Sequence, residues 1–215
     1  PKKENHFEHN FHYLWDGENL NEITESQEYN CDGGMNSDIW RSTEDLPSPC
    51  LDKRGNLYYT TDRGGKNYLE MMEGNDREIL VNENAYITSY DVSDTGDIAF
   101  IKVSDKSFAE VYIKNKDQEA RKLSSLNSKL QKRLNLKPMK HIKYSNEGLE
   151  IDGWYVAPNT TDGPSPLVVF VHGGPKGAYG NVVYFLTQVL VENGMYVLHT
   201  NPRGSNGYSE EFASK

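Results

Sequence analysis

The sequence predicts two kinds of β structure in one chain, antiparallel repeats in the first half and a parallel strand–helix–strand unit in the second. Near residues 52 and 93, a polar turn with glycine is followed each time by an alternating strand. Near residue 167, an unbroken apolar run is followed by a glycine turn, a helical pattern and a second apolar run. In 215 residues these halves predict two domains.

The antiparallel repeats have the period of a β-propeller blade, which is about 40–45 residues. Each repeat contains a turn and strand, a second strand and a short outer strand: Asp52–Tyr59, Tyr68–Met72 and Ile79–Val81 in one, Ser93–Phe100, Glu110–Lys114 and Arg121–Leu123 in the other. Residues 1–123 are therefore predicted to be the C-terminal blades of a propeller. Since propellers close with about four to eight blades, we expect more blades before Pro1. An unrelated antiparallel β domain is the alternative.

Further strands complete this prediction. Tyr86–Tyr90 and a strand before Pro47 would bring each blade to four strands. An earlier partial unit is predicted at His12–Trp15 and Leu20–Thr24. The polar stretch Glu25–Pro47 is predicted to be an insertion.

Residues 124–139 are predicted to form a linker helix. Leu126, Leu130 and Leu134 recur at four-residue spacing, which is typical of one helix face. Pro138 is predicted to end the helix.

Residues 140–215 are predicted to begin with a hairpin, His141–Ser145 and Leu149–Val156, around a turn with glycine. Leu167–Val171 lacks alternation, so it is predicted to be a parallel strand buried on both faces. A helix capped by Asn181 and closed by Gly194 leads to a second buried strand, Met195–Thr200. The face predicted to be buried consists of Val182, Phe185, Leu186, Val189 and Leu190.

The turn His172-Gly173-Gly174-Pro175 follows the first parallel strand directly. It lacks the spacing of a phosphate-binding loop, and Pro175 removes one N–H. Two interpretations remain at this point. The turn can face a developing oxyanion, as in the HGGG-type loop of hydrolases, or it can be an ordinary tight turn.

The segment Leu167–Phe212 resembles the catalytic domain of the prolyl oligopeptidase family of serine peptidases, most closely its acylaminoacyl-peptidase-like branch. The motifs that carry the resemblance are His172–Pro175, Asn201–Tyr208 and Phe212. The close likeness extends back to Lys122, and the residues before it resemble the family only in general style. The resemblance implies propeller blades followed by the N-terminal part of an α/β-hydrolase domain, residues 140–215. It also implies hydrolysis of short or acylated peptides through a Ser-Asp-His triad.

The resemblance assigns the oxyanion-binding N–H to Gly174 and secondarily to Gly173. His172 is expected to be structural, because the catalytic histidine of these enzymes comes after the serine and aspartate. Arg203 follows a parallel strand, where ligands bind in open α/β sheets. It is a candidate substrate-binding residue, and an ion pair with a nearby carboxylate is the alternative.

The chain has no Gly-x-Ser-x-Gly sequence, and Ser205 lacks that spacing. We therefore expect the triad to lie beyond the C-terminus of this chain. We further expect residues 1–215 alone to be inactive and to fold poorly, with apolar surface uncovered. Two alternatives stay open for the whole protein: another α/β-hydrolase such as an esterase, or a non-catalytic propeller binding module.

Composition excludes several partners. The net charge of −9 argues against nucleic acid, and no run approaches the about 18 apolar residues of a membrane helix. Cys31 and Cys50 predict free thiols in a reducing, cytoplasmic compartment. His6, His9 and His12 lack a metal-binding pattern, so neither metal nor cofactor is expected. A peptide substrate is the expected partner, and a homo-oligomer of the full-length protein is left open.

Overall fold

A computed structural model describes residues 9–24, 29–31, 34–39, 47–159, 163–173 and 176–214. The first strands form a hairpin, β1 (Tyr13–Trp15) and β2 (Leu20–Glu22), at the predicted partial unit. Within the described ranges no helix is long and apolar enough to cross a membrane.

Two antiparallel four-stranded sheets follow. The first contains β3 (Cys50–Leu51), β4 (Leu57–Arg63), β5 (Lys66–Glu73) and β6 (Asp76–Asn82). The second contains β7 (Tyr86–Val92), β8 (Ile98–Ser104), β9 (Ser107–Lys114) and β10 (Arg121–Lys122).

The two sheets share an apolar core. Tyr58, Leu69 and Val81 from the first sheet pack with Ile87 and Phe100 from the second, and all five are nearly inaccessible to solvent. Two sequential sheets of four strands, each hydrogen-bonded in chain order, are what adjacent propeller blades require.

One edge strand of the first sheet, β3, differs from the prediction. The sequence predicted a strand before Pro47, whereas β3 follows it. Residues 40–46, where the predicted strand would fall, lie outside the described part of the chain. β3 pairs with β4 through Cys50 and Leu51 only, so its signal in the sequence is short.

The linker contains a helix shorter than predicted, α1 (Ser128–Leu134). It ends at Asn135, which adopts a left-handed φ of 41°, and not at Pro138. Leu126 and Leu130 are exposed, so their spacing did not mark a buried face. The buried carboxylate of Glu110 orders the linker start by accepting hydrogen bonds from the backbone N–H groups of Leu126 and Asn127, at 3.0 and 2.9 Å.

The third sheet is mixed and has the order β11-β12-β14-β13. Its strands are β11 (Lys140–Asn146), β12 (Leu149–Val156), β13 (Leu167–Val171) and β14 (Tyr196–Asn201). β13 and β14 are parallel, and the other two pairings are antiparallel. The predicted hairpin and both predicted parallel strands are therefore present. Two helices, α2 (Phe185–Glu192) and α3 (Glu210–Ser214), accompany this sheet.

The predicted burial of Leu167–Val171 on both faces is not met by the described residues, and one apolar face is uncovered, as expected for residues 1–215 taken alone. Leu167, Val169 and Val171 are 58%, 50% and 62% exposed. β13 is the edge strand of the described sheet, and α2 packs only on the face that carries Val168 and Phe170. The opposite apolar face is left uncovered by the described residues.

The predicted cap and buried face of α2 are also wrong. Asn181 lies before the helix, and its side chain donates to the carbonyl of Asn84 at 3.3 Å. Val182 is buried but precedes the helix, whereas Phe185, Leu186 and Val189 are 50%, 48% and 42% exposed. The side chains that α2 buries are Thr187 and Val191. Gly194, at φ 83°, does follow the helix end as predicted.

The cap of α2 comes from residues 34–39, inside the predicted insertion. The Asp38 carboxylate accepts hydrogen bonds from the N–H groups of Phe185 and Leu186, at 2.6 and 2.7 Å. A carboxylate there satisfies free N–H groups and the positive end of the helix dipole. Met35 forms a parallel bridge with Ala178, so the segment docks on the connection between β13 and α2.

The hairpin between β4 and β5 joins the first sheet to the third. Its turn contains Gly64 and Gly65, both at positive φ. Gly64 donates its N–H to the carbonyl of Gly207 at 2.9 Å. Gly65 lies so close to the Trp154 ring that a Cβ atom would approach it to 2.3 Å. The hairpin therefore packs directly against a buried side chain of the mixed sheet.

Candidate functional site

The turn after β13 and the loop after β14 meet at one edge of the third sheet. His172 connects them, because its Nε2 lies 2.7 Å from Ser205 Oγ and its Nδ1 lies 3.2 Å from the carbonyl oxygen of Gly173. The parallel pairing of the two strands brings their carboxyl ends together, which is where ligands bind in open α/β sheets.

The contact between His172 and Ser205 joins two loops and does not present the serine hydroxyl to solvent. Ser205 is completely buried, and its hydroxyl also donates to the carbonyl of Pro202 at 2.6 Å. Burial lowers the pKa of His172, which favours the neutral ring at pH 7. A buried serine already held by its own loop is poorly placed to attack a substrate, which agrees with the structural role expected for His172.

Gly173 lies at the exposed surface of the turn. A methyl group in place of its hydrogen would meet nothing within 4 Å, so that side is open. Gly174, the first candidate for oxyanion binding, and Pro175 lie outside the described residues. The oxyanion role of both glycines stays a prediction.

Arg203 forms the ion pair that was the alternative to substrate binding. Its guanidinium donates to the Glu147 carboxylate at 2.5 Å, and the two side chains are 35% and 66% exposed. Glu147 belongs to the turn between β11 and β12 and has a left-handed φ of 50°. The pair therefore connects this turn to the loop after β14.

A buried polar network, missed in the sequence, supports the same loop. The Asn201 side chain accepts from the N–H of Tyr179 at 2.7 Å and donates to the carbonyl of Tyr179 at 2.9 Å. Tyr208 donates its hydroxyl to Asp152 at 2.8 Å, and His141 contacts the same carboxylate at 2.6 Å. Burial and the charge of Asp152 raise the pKa of Tyr208, so its hydroxyl remains a donor. These hydrogen bonds join residues that are far apart in the sequence, so no local residue spacing predicts them.

His199 is a buried histidine that sequence reasoning missed. It lies on β14, its ring stacks on Phe170 and Tyr184 at centroid distances of 5.0 and 4.3 Å, and its Nε2 lies 2.7 Å from Thr187 Oγ1. Burial lowers the pKa of His199 to about 4, because the charged ring would be desolvated among aromatic groups.

The depressed pKa of His199 predicts a loss of stability in acid. The unfolded chain has an ordinary histidine pKa of about 6.5, so between pH 6.5 and 4 it binds a proton that the folded chain does not. Stability is therefore lost as pH falls through this window, by on the order of 3 kcal/mol from this residue. Urea unfolding at pH 7 and 4.5 should give a smaller pH effect for His199→Gln than for wild type. An identical pH effect in His199→Gln and in wild type would contradict a lowered pKa of His199 as the cause.

The chain is similar in sequence and structure to known peptidases. No protein-family model matches the chain. It is 32% identical over 177 residues to the uncharacterized peptidase YuxL of Bacillus subtilis, which covers 80% of this chain and 27% of that protein.

Solved structures agree. An acylaminoacyl peptidase of Pyrococcus horikoshii has a TM-score of 0.82 and 29% identity, covering 99% of this chain and 31% of the peptidase. An acylaminoacyl peptidase in complex with Z-Gly-Gly-Phe-chloromethyl ketone has a TM-score of 0.81 and 29% identity, with the same coverage.

These proteins are peptidases, and the chain is related to them over most of its length. More narrowly, the predicted relationship is confirmed: the chain is a relative of the prolyl oligopeptidase family of serine peptidases, in its acylaminoacyl-peptidase-like branch. The chain spans 27–31% of the length of these relatives.

Proposed function

We propose that this chain is part of a serine peptidase that hydrolyses short or acylated peptides. The two antiparallel sheets are the last blades of its propeller, and the mixed sheet is the start of its α/β-hydrolase domain. The observation that carries the proposal is the meeting of the His172-Gly173 turn with the loop after β14, at the carboxyl ends of two parallel strands.

The proposed chemistry is acyl transfer. A serine outside residues 1–215 attacks the scissile carbonyl, a histidine oriented by an aspartate accepts its proton, and the carbonyl oxygen becomes an oxyanion. The N–H groups of Gly174 and secondarily Gly173 donate to this oxygen. Open space beside Gly173 supports access of a substrate to the turn.

Arg203 is proposed to contact the substrate at the same edge. The arginine side chain stays about one-third exposed while it pairs with Glu147. An exposed pair of this kind contributes little free energy, so a carboxylate or carbonyl of the substrate can replace Glu147 at small cost.

The substrate class follows from the proposed propeller, which restricts access to short peptides. A relative was solved in complex with Z-Gly-Gly-Phe-chloromethyl ketone, which supports a blocked peptide as the first substrate to try.

The test uses the full-length protein that contains this chain. Hydrolysis of an acylated peptide anilide is compared with hydrolysis of the ester of the same acyl group. We expect saturable cleavage of the anilide. Cleavage of the ester alone would support the esterase alternative, and cleavage of neither would support a non-catalytic binding module.

A further inference from the structure

The loop after β14, residues 202–208, is held in place by hydrogen bonds from two sides. The N–H of Asn206 donates to the carbonyl of Gly177, in the connection between β13 and α2, at 3.0 Å. From the first sheet, the N–H of Gly64 donates to the carbonyl of Gly207 at 2.9 Å. The loop therefore presents its side chains at fixed positions beside the third sheet.

Ser205 connects this loop to the turn of residues 172–175, which we call the oxyanion turn. The Ser205 side chain is completely buried, and its hydroxyl donates to the carbonyl of Pro202 at 2.6 Å. A serine hydroxyl has one proton, so its oxygen then accepts a hydrogen bond from Nε2–H of His172, at 2.7 Å. These two hydrogen bonds in series join the backbone of the loop to the histidine ring.

The His172 ring is enclosed on its other sides. It packs edge-on against the Tyr179 ring, at a centroid distance of 5.6 Å. A Cβ atom on Gly177 would lie 2.9 Å from His172 Nδ1 and 2.5 Å from the carbonyl oxygen of Gly173, so the ring and the turn fill the space beside residue 177. With Ser205 at Nε2, the ring is fixed in position and in orientation.

The fixed ring comes directly before the two glycines that we propose bind the oxyanion. Glycine populates more of φ/ψ space than any other residue, so Gly173 and Gly174 do not by themselves fix the direction of their N–H groups. Donors that stabilise an oxyanion act because they are oriented before the reaction. An anchored side chain beside the glycines supplies that orientation.

We propose that Ser205 and His172 are positioning residues for the oxyanion turn. The Ser205 hydroxyl holds the His172 ring, and the ring holds the N–H groups of Gly173 and Gly174 where the oxyanion forms. The proposal rests on the proposed peptidase function and adds residues that act on its chemical step without touching the substrate. It also gives the buried Ser205 a role in the reaction other than that of a nucleophile.

Ser205→Ala in the full-length protein is the first test. We expect kcat for an acylated peptide to fall about 10- to 100-fold with KM nearly unchanged, because a displaced donor weakens an interaction made only in the transition state. Ser209→Ala is the matched control. Its Oγ accepts from the N–H of Phe212 at 3.3 Å, so this substitution removes a side-chain hydrogen bond close to the loop and should leave kcat unchanged.

Two variants of His172 test the same hydrogen bond if Ser205→Ala does not fold. A glutamine amide can donate to Ser205 in place of Nε2–H, whereas leucine cannot. His172 is only half-buried, so both variants should fold, which thermal unfolding checks. We expect kcat of His172→Gln to exceed that of His172→Leu about tenfold. Adding Ser205→Ala to His172→Leu should lower kcat little further, since residues that act through one contact are not additive.

Inhibitors separate positioning of the turn from a general weakening of the site. A catalytic serine adds its oxygen to the carbon of a peptide aldehyde and passes its proton to the catalytic histidine, and the carbonyl oxygen becomes an oxyanion. The corresponding peptide alcohol forms no such adduct. In Ser205→Ala, Ki for the aldehyde should rise by about the factor by which kcat/KM falls, and Ki for the alcohol should stay the same.

The outcomes separate the two proposals. A wild-type protein that hydrolyses no peptide overturns both the peptidase function and the positioning role. If the wild-type protein is active, equal kcat in folded Ser205→Ala and Ser209→Ala overturns the positioning role alone. Equal kcat in His172→Gln and His172→Leu, or equal losses of aldehyde and alcohol binding in Ser205→Ala, overturns it as well.

Discussion

Replacement of Gly174 by proline in the full-length protein should lower kcat about 100- to 1000-fold, with little change in substrate binding. Proline removes the N–H that we propose donates to the oxyanion, and loss of one such donor has an effect of this size. Because the hydrogen bond forms only in the transition state, kcat and kcat/KM should fall together. Steady-state kinetics on an acylated peptide measure both.

Gly174→Ala is the control for this prediction, because alanine keeps the N–H. It should retain much more activity than the proline variant, provided that both unfold at temperatures close to that of wild type. Near-normal turnover in a folded Gly174→Pro protein would reject the oxyanion role.

Gly65→Ala should destabilise the protein by about 2–5 kcal/mol. Gly65 has a φ of 72°, where a side chain costs about 1–2 kcal/mol, and its Cβ would approach the buried Trp154 ring to 2.3 Å. Relieving that overlap by moving the ring or the hairpin costs about another 1–3 kcal/mol. Denaturant unfolding followed by tryptophan fluorescence measures the change.

The neighbouring Gly64 provides a matched control. It also has positive φ, at 54°, but its Cβ would meet only an Asp152 oxygen at 3.8 Å. Gly64→Ala should therefore show the backbone cost alone, about 1–2 kcal/mol. Equal destabilisation by the two substitutions would show that the contact of the hairpin with Trp154 contributes little.

Local patterns in the sequence predicted most of the strands. The polar turns near residues 52 and 93 and the alternation after them locate β4 and β8, and both sheets have the predicted four strands. The runs at Leu167–Val171 and Met195–Thr200 locate β13 and β14. The turn residues Glu147 and Gly148 both adopt positive φ between β11 and β12, as a tight hairpin requires.

Features that depend on distant contacts could not be predicted. The cap of α2 is Asp38, almost 150 residues before the helix, so local spacing favoured Asn181 instead. Burial of Thr187 and exposure of Phe185 reverse the expected helix face. Thr187 hydrogen-bonds the buried His199, and Val191 packs on β12 and β14, which are contacts that helix spacing does not reveal. The candidate site shows the same limit. The sequence motifs identified His172 and Arg203. Their contacts with Ser205 and Glu147 could be found only in the folded structure.

Labelling with a serine-directed fluorophosphonate tests the central claim most directly. The full-length protein that contains this chain is treated with the reagent, digested and mapped by mass spectrometry. We predict a single modified serine outside residues 1–215, with no label on the buried Ser205, and loss of peptide hydrolysis in proportion to labelling. Label on Ser205, or hydrolysis that survives complete labelling, would contradict a serine peptidase in which this chain supplies only the oxyanion turn.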